Sequence, residues 1–223
     1  VVDLSRHMNK VLEINEKEGW VRVQTGIVKD KLNDVVRPYG YFFSPELSTS
    51  NRAPLGGLIH TDASGQGSLV YGKTSDHVLS LQAVFTDGSL IESDLSDAEP
   101  EEGTFAHQAL SVTEQVCRQK RAEIVDKFPP LNRFLTGYDL KNALNEEEDS
   151  FDFTRVLCGA EGSLAFITEA KLNLTLTPKA RTLVNVKYNT FDSCLLYHFD
   201  ADDERFSVNR GGSVSHDNKN RHI

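Results

Sequence analysis

Apolar and polar residues alternate along Val11-Leu12-Glu13-Ile14-Asn15 and again along Trp20-Val21-Arg22-Val23-Gln24, on either side of Glu16-Lys17-Glu18-Gly19. A period of two broken by a polar, glycine-ended turn predicts a β-hairpin. The period then changes. Val28, Leu32, Val35 and Val36 fall at helical spacing, and Gly40 supplies a stop, so a helix is expected there. Residues 79–85 and 90–92 return to strand character around Asp87-Gly88, a dipeptide that favours tight hairpin turns. Helical spacing occupies 104–127 and ends at Pro129-Pro130. Residues 164–167 and 170–176 read as a strand pair or one long strand, and 183–188 as a further strand. Without strict strand–helix alternation, these elements predict an α+β domain with a largely antiparallel sheet.

Two stretches break the pattern. Residues 43–72 are rich in Gly, Ser, Thr, Asn and Pro, with few charges and no period. A structureless run of that length inside a compact domain is usually functional or disordered, and a long functional loop is expected. From about residue 199 to 223 the chain is polar and nearly patternless, which predicts a disordered tail.

A net charge of −9, with no basic cluster beyond Arg118-Gln119-Lys120-Arg121, argues against a nucleic-acid or anionic-membrane surface. Cys117, Cys158 and Cys194 are far apart and odd in number, so neither a disulfide framework nor a metal site is indicated, and a reducing compartment fits. No apolar run approaches the roughly 20 residues that span a bilayer, and no signal pattern opens the chain. A cytoplasmic protein is expected. Val1-Val2-Asp3-Leu4 already reads as the end of a strand, so the chain is read as a piece of a longer protein.

The irregular loop ends in "GSLVYGKT", residues 67–74, which matches the G-x-x-x-x-G-K-T string of nucleotide triphosphatases. That motif works when a buried strand feeds a glycine turn and a helix starts at Gly-Lys-Thr. Here residues 59–66 are too polar for such a strand, and Ser75-Asp76-His77 leads into a β-hairpin. The triphosphatase therefore stands only as an alternative, beside a non-catalytic interaction domain. The glycines still need a reason. Gly56, Gly57, Gly65, Gly67 and Gly72, interleaved with Thr61, Ser64 and Ser68, give a backbone that can approach a ligand closely and offer N–H groups to an anion such as a pyrophosphate.

The stretches "PYGYFFSPELSTSNRAPLGGLIHTDASGQGSLVYGKTSDHVLSLQAVFTDGSLIE", "FPPLNRFLTGYDLKNAL" and "LCGAEGSLAFITEAKLNLTLTPK", with the opening hairpin, resemble the FAD-linked oxidase family, with the vanillyl-alcohol oxidase fold. Within it the chain is most similar to the D-2-hydroxy-acid dehydrogenases of the D-lactate, glycolate oxidase and D-2-hydroxyglutarate type, over residues 1–193. The resemblance implies a PCMH-type FAD-binding domain whose second subdomain has a mostly antiparallel sheet flanked by helices. It implies FAD as cofactor, held by Pro45, Gly56, Gly57, Thr61, Asp62, Ala63, Ser64, Gly65, Gly67, Tyr71, Gly72, Glu161 and Gly162, with the backbone of Ile167 and Thr168 offered to the adenine end. It implies a small 2-hydroxy acid as substrate and names no electron acceptor. A first flavin subdomain is expected before Val1 and a substrate cap after Ser193, leaving 1–193 as a partial FAD-binding domain and 194–223 as the tail. This fragment is expected to be inactive alone and to retain flavin weakly. No catalytic residue is assigned: His60 and His77 read as loop bystanders, and Tyr138 is expected to pack against the sheet.

Overall fold

The computed structural model describes residues 3–4, 6–65, 67–93, 99–129, 131, 137–145, 147, 149–180, 182, 187 and 189–192. The chain divides into Val1–Pro178 and Lys179–Ile223, and everything below concerns the first unit. The strand expected at 183–188 and the tail lie outside the described residues, Lys187 excepted.

The opening hairpin forms as the alternation predicts, with β1 (Val11–Asn15) antiparallel to β2 (Trp20–Gln24). The first helix, α1 (Lys29–Val36), buries Leu32 and Val36 and leaves Val35 outside. A 3₁₀ turn at Arg37–Tyr39 then runs into Gly40 at φ +78°, a left-handed stop that glycine takes without strain. Next come β3 (Tyr41–Phe42), α2 (Leu55–His60), α3 (Ser68–Tyr71), β4 (Val78–Val84) and β5 (Leu90–Glu92). The long helical pattern resolves into α4 (Phe105–Gln119) and α5 (Arg121–Lys127), broken at Lys120. The chain continues through β6 (Leu144–Asn145), β7 (Ser150–Phe151), α6 (Phe153–Leu157), β8 (Phe166–Asn173) and β9 (Thr175–Leu176).

The main sheet runs β1-β2-β8-β4-β5, with every neighbouring pair antiparallel. The late strand β8 thus inserts between two early ones, which places the 159–165 segment beside the irregular loop that precedes β4. One face of the sheet carries Val21, Val23, Leu81, Ala83, Ile167 and Leu172, all buried, against Leu32, Leu55, Ile59, Phe153 and Leu157 from the helices. Burying one such side chain contributes about 1.5–3 kcal/mol. The other face is polar: Arg22 donates to Glu169 at 2.8 Å and Glu92 at 2.7 Å, and Lys171 sits 4.5 Å from the Trp20 ring.

Residues 43–72 are not one irregular loop, because they contain α2 and the single turn α3. Gly56 and Gly57 weaken any helix by propensity, and tertiary contact overrides that. A Cβ at Gly56 would come within 3.3 Å of Thr25, and its N–H donates to the Thr25 carbonyl at 2.7 Å. The glycine is what lets α2 lie on the end of β2.

Candidate functional site

The site starts where α2 stops. Asp62 N–H donates to the Ile59 carbonyl at 3.1 Å and Ala63 N–H to the Leu58 carbonyl at 2.9 Å. That paired pattern closes a helix with a left-handed residue after its cap. Asp62 holds that position at φ +44°, where glycine is the usual occupant. The Ile59 carbonyl and the one after it, of His60, also receive a different part of the chain. Gly159 N–H donates to Ile59 O and Glu161 N–H to His60 O, each at 2.9 Å, while Gly162 N–H donates to His60 Nδ1 at 3.1 Å. The two glycine-bearing segments singled out in the sequence, about a hundred residues apart, therefore meet at one helix end. Gly159, Glu161 and Gly162 all have positive φ, at 80°, 51° and 75°, the tight reversal that the turn needs.

Accepting from Gly162 fixes the His60 tautomer, with Nδ1 bare and the proton on Nε2. Burial holds its pKa below the ordinary 6.5, because a charged ring would lose both solvent and this bond. His60 is a clamp between the segments rather than a bystander.

From Asp62 the ribbon runs through Ser64, Gly65 and Gly67 to α3, then returns. Thr74 donates to the Ala63 carbonyl through both its N–H (3.0 Å) and its hydroxyl (2.6 Å), closing the loop. A Cβ at Gly65 would run into the Glu46 carbonyl oxygen, so this glycine is required by the neighbouring chain. Among the described residues, the Gly65 and Gly67 N–H groups have no hydrogen-bond acceptor. Leu69 and Val70, on α3, are 95% and 78% exposed, while Tyr71 packs edge-on against Phe42 with ring centres 5.6 Å apart.

Lys73 of the G-K-T string points inward and is buried. Its ammonium lies 2.5 Å from Asp62 Oδ2 and 3.5 Å from Asp139 Oδ2. Burial lowers its pKa, but the Asp62 hydrogen bond and the charges of Asp62, Asp139 and Asp76 outweigh that and raise it above 10.5. The Asp62 carboxylate also accepts from Ser75 N–H at 2.8 Å and Ser75 Oγ at 3.1 Å. No helix of phosphate-binding type springs from Lys73: a 3₁₀ turn (Thr74–His77) and the antiparallel β4 follow. The triphosphatase alternative is not favoured, since its lysine is committed to two aspartates, the helix α2 rather than a buried strand leads into the ribbon, and no α-helix follows Lys73.

Thr61, Asp62, Lys73, Gly137, Asp139, Cys158, Gly159 and Glu161 line a cleft at this junction. Tyr138, between the cleft-lining Gly137 and Asp139, is 38% exposed and meets the second glycine turn, with its hydroxyl 2.9 Å from Ser163 Oγ. Burial pushes the Cys158 thiol well above its ordinary value, so no thiolate nucleophile sits here.

Other expected site residues lie further off. Pro45 is buried, next in the chain to Glu46, whose carbonyl abuts Gly65. Ile167 and Thr168 belong to the central strand, and their carbonyls accept from Thr25 Oγ1 (2.6 Å) and Thr25 N–H (3.1 Å). A strand paired on both sides has few main-chain groups to spare, so these carbonyls are already committed. Asp139 carries no sequence signal, and its role follows from the fold alone.

Residues 1–94 match the family model of an FAD binding domain. The chain is 57% identical over 200 residues to D-2-hydroxyglutarate dehydrogenase of Escherichia coli, covering 87% of this chain and 20% of that protein. The similarity to an FAD-binding domain thus covers residues 1–94, and the similarity to this relative covers most of the chain. The enzyme of the same name from Pseudomonas putida is 52% identical over the same shares, and glycolate oxidase subunit GlcD of Bacillus subtilis is 26% identical over 86% of this chain and 31% of its own. The chain spans about a fifth of the length of the D-2-hydroxyglutarate dehydrogenases it matches. A solved structure of alkyldihydroxyacetonephosphate synthase shares the fold, with a TM-score of 0.51 at 21% identity, over 80% of this chain and 23% of that one. The PCMH-type α+β fold with an antiparallel sheet is thus the one expected from the resemblance.

The ribbon's chemistry suits such a cofactor. Its one acidic side chain, Asp62, is turned onto Lys73, and among the described residues the Gly65 and Gly67 N–H groups take no protein acceptor.

Proposed function

We propose that this chain is the FAD-binding part of a cytoplasmic flavoprotein dehydrogenase that oxidises a D-2-hydroxy acid, D-2-hydroxyglutarate or D-lactate. The observation that carries the proposal is the meeting of the ribbon and the second glycine turn at the end of α2, through the 2.9 Å and 3.1 Å bonds of Gly159, Glu161 and Gly162. Residues 61–67, Tyr71, Gly72, Glu161 and Gly162 would hold the dinucleotide, with main-chain donors on its phosphates. A flavin bound by them would supply the acceptor for a hydride leaving the hydroxyl-bearing carbon. The residues of this chain bind and orient the cofactor. Among the described residues, the one cation lining the cleft, Lys73, is already paired, so it offers a carboxylate substrate no clamp. Among the described residues, no helix is long and apolar enough to cross a membrane.

Titration of the purified chain with FAD and with ATP, followed by flavin fluorescence and calorimetry, tests this. Saturable but weak FAD binding, no ATP binding, and no turnover of D-2-hydroxyglutarate by the chain alone are expected. ATP binding without FAD binding would overturn the reading, and absence of both would favour an interaction module on the same fold.

A further inference from the structure

Asp62 occupies a left-handed helix-capping position at φ +44°, which is strained for a non-glycine residue. Glycine would remove that strain, and position 62 is aspartate for another reason. Its carboxylate is the acceptor for Lys73 Nζ, Ser75 N–H and Ser75 Oγ. The other partner of Lys73, Asp139, belongs to a separate turn that it organises itself, with Oδ1 and Oδ2 each accepting from Asn142 Nδ2 at 2.9 Å. The adjacent Tyr138 reaches the second glycine turn through Ser163. One buried ammonium therefore ties the ribbon to the 137–142 turn, and that turn borders the segment clamped by His60.

We propose that Lys73 is a positioning residue for the cofactor: a latch that fixes the ribbon and the 137–142 turn in the arrangement that receives FAD. Lys73 touches no phosphate in this role. It acts through Asp62 and Asp139, and adds its ion pair to the two Ser75 bonds that hold the strained cap. The proposal rests on the FAD-binding reading, and its test separates the two.

Hydrogen exchange on the full chain, without ligand, reads the latch directly. In Lys73→Met, the amides of Asp62, Ala63, Ser75, Gly159 and Glu161 should exchange at least about tenfold faster, while those of β2 and β8 stay protected. Equal rates at the ribbon, or equal acceleration in the sheet, would overturn the proposal. Removing one partner of a buried pair can unfold a domain, so the triple variant K73M/D62N/D139N, with no buried charge left in the cluster, decides the case if the single variant does not fold. It should melt near the wild type yet keep the loosened ribbon and show an FAD affinity at least about tenfold lower. A triple variant with wild-type exchange and wild-type FAD affinity would mean that Lys73 only fills space. Wild-type chain that binds no FAD would remove the functional reading, and the exchange comparison would still decide the latch.

Discussion

The β2–β8–β4 seam and the 61–74 ribbon lie side by side and are held by different forces. The seam is apolar on its inner face, where Val21, Val23, Leu81 and Leu172 are fully buried, and its stability scales with area removed from water. The ribbon contributes little apolar burial, and its alanine is only half buried. It is held by directional bonds: Thr74 to Ala63, Ser75 and Lys73 to Asp62, Gly162 to His60. Hydrophobic packing tolerates many sequences, whereas a hydrogen-bonded ribbon needs particular groups at particular places. That difference suits a scaffold and a ligand cradle respectively.

The comparison is broken most severely at the seam. Leu172→Ala removes a fully buried side chain from the central strand and should lower unfolding free energy by about 2–5 kcal/mol, with sheet and ribbon lost together in urea denaturation. A ribbon that survives loss of the sheet would refute their dependence. Gly65→Ala comes next. Its added Cβ meets the Glu46 main chain, and such overpacking costs about 1–3 kcal/mol, with a loss of FAD affinity larger than the loss of stability suggests. Gly162→Ala sharpens the contrast, because nothing lies within 4 Å of its Cβ and only the φ of +75° is unfavourable. About 1 kcal/mol is expected, and a larger loss would mean that the turn is packed more tightly than its geometry shows.

The smallest effect should come from His60. Its folded pKa is depressed by burial below 6.5, so the unfolded chain takes up a proton at higher pH than the folded one. Stability should therefore fall as pH drops through about 6.5, and level off once the folded ring also protonates. His60→Gln should flatten that slope between pH 7.5 and 5. An unchanged slope in urea midpoints would assign the pH dependence to other groups.

Sequence pattern located the hairpin, α1, the β4–β5 turn at Asp87-Gly88 and the long strand, because each carries an apolar period that its burial explains. It did not locate α2, since Gly56-Gly57 lowers helix propensity and the reason for Gly56 lies in Thr25, far earlier in the chain. The same holds for the site. The glycine-rich ribbon and the Gly-Ala-Glu-Gly-Ser turn were legible as close-approach backbone. The part played by Asp139 was not, because an aspartate in a polar turn has no local signature of burial.

Local residue order thus determined the alternating strands, the α+β class and the small-residue segments that can lie close to a ligand, because periodicity and glycine act within a few positions. Only the tertiary structure decided that β8 inserts between β2 and β4 and delivers the second glycine turn to the carbonyl end of α2. It also decided that the Gly-Lys-Thr lysine faces two aspartates instead of a phosphate. Partners separated by 66 residues are chosen by strand order, and a motif read along the chain does not contain it.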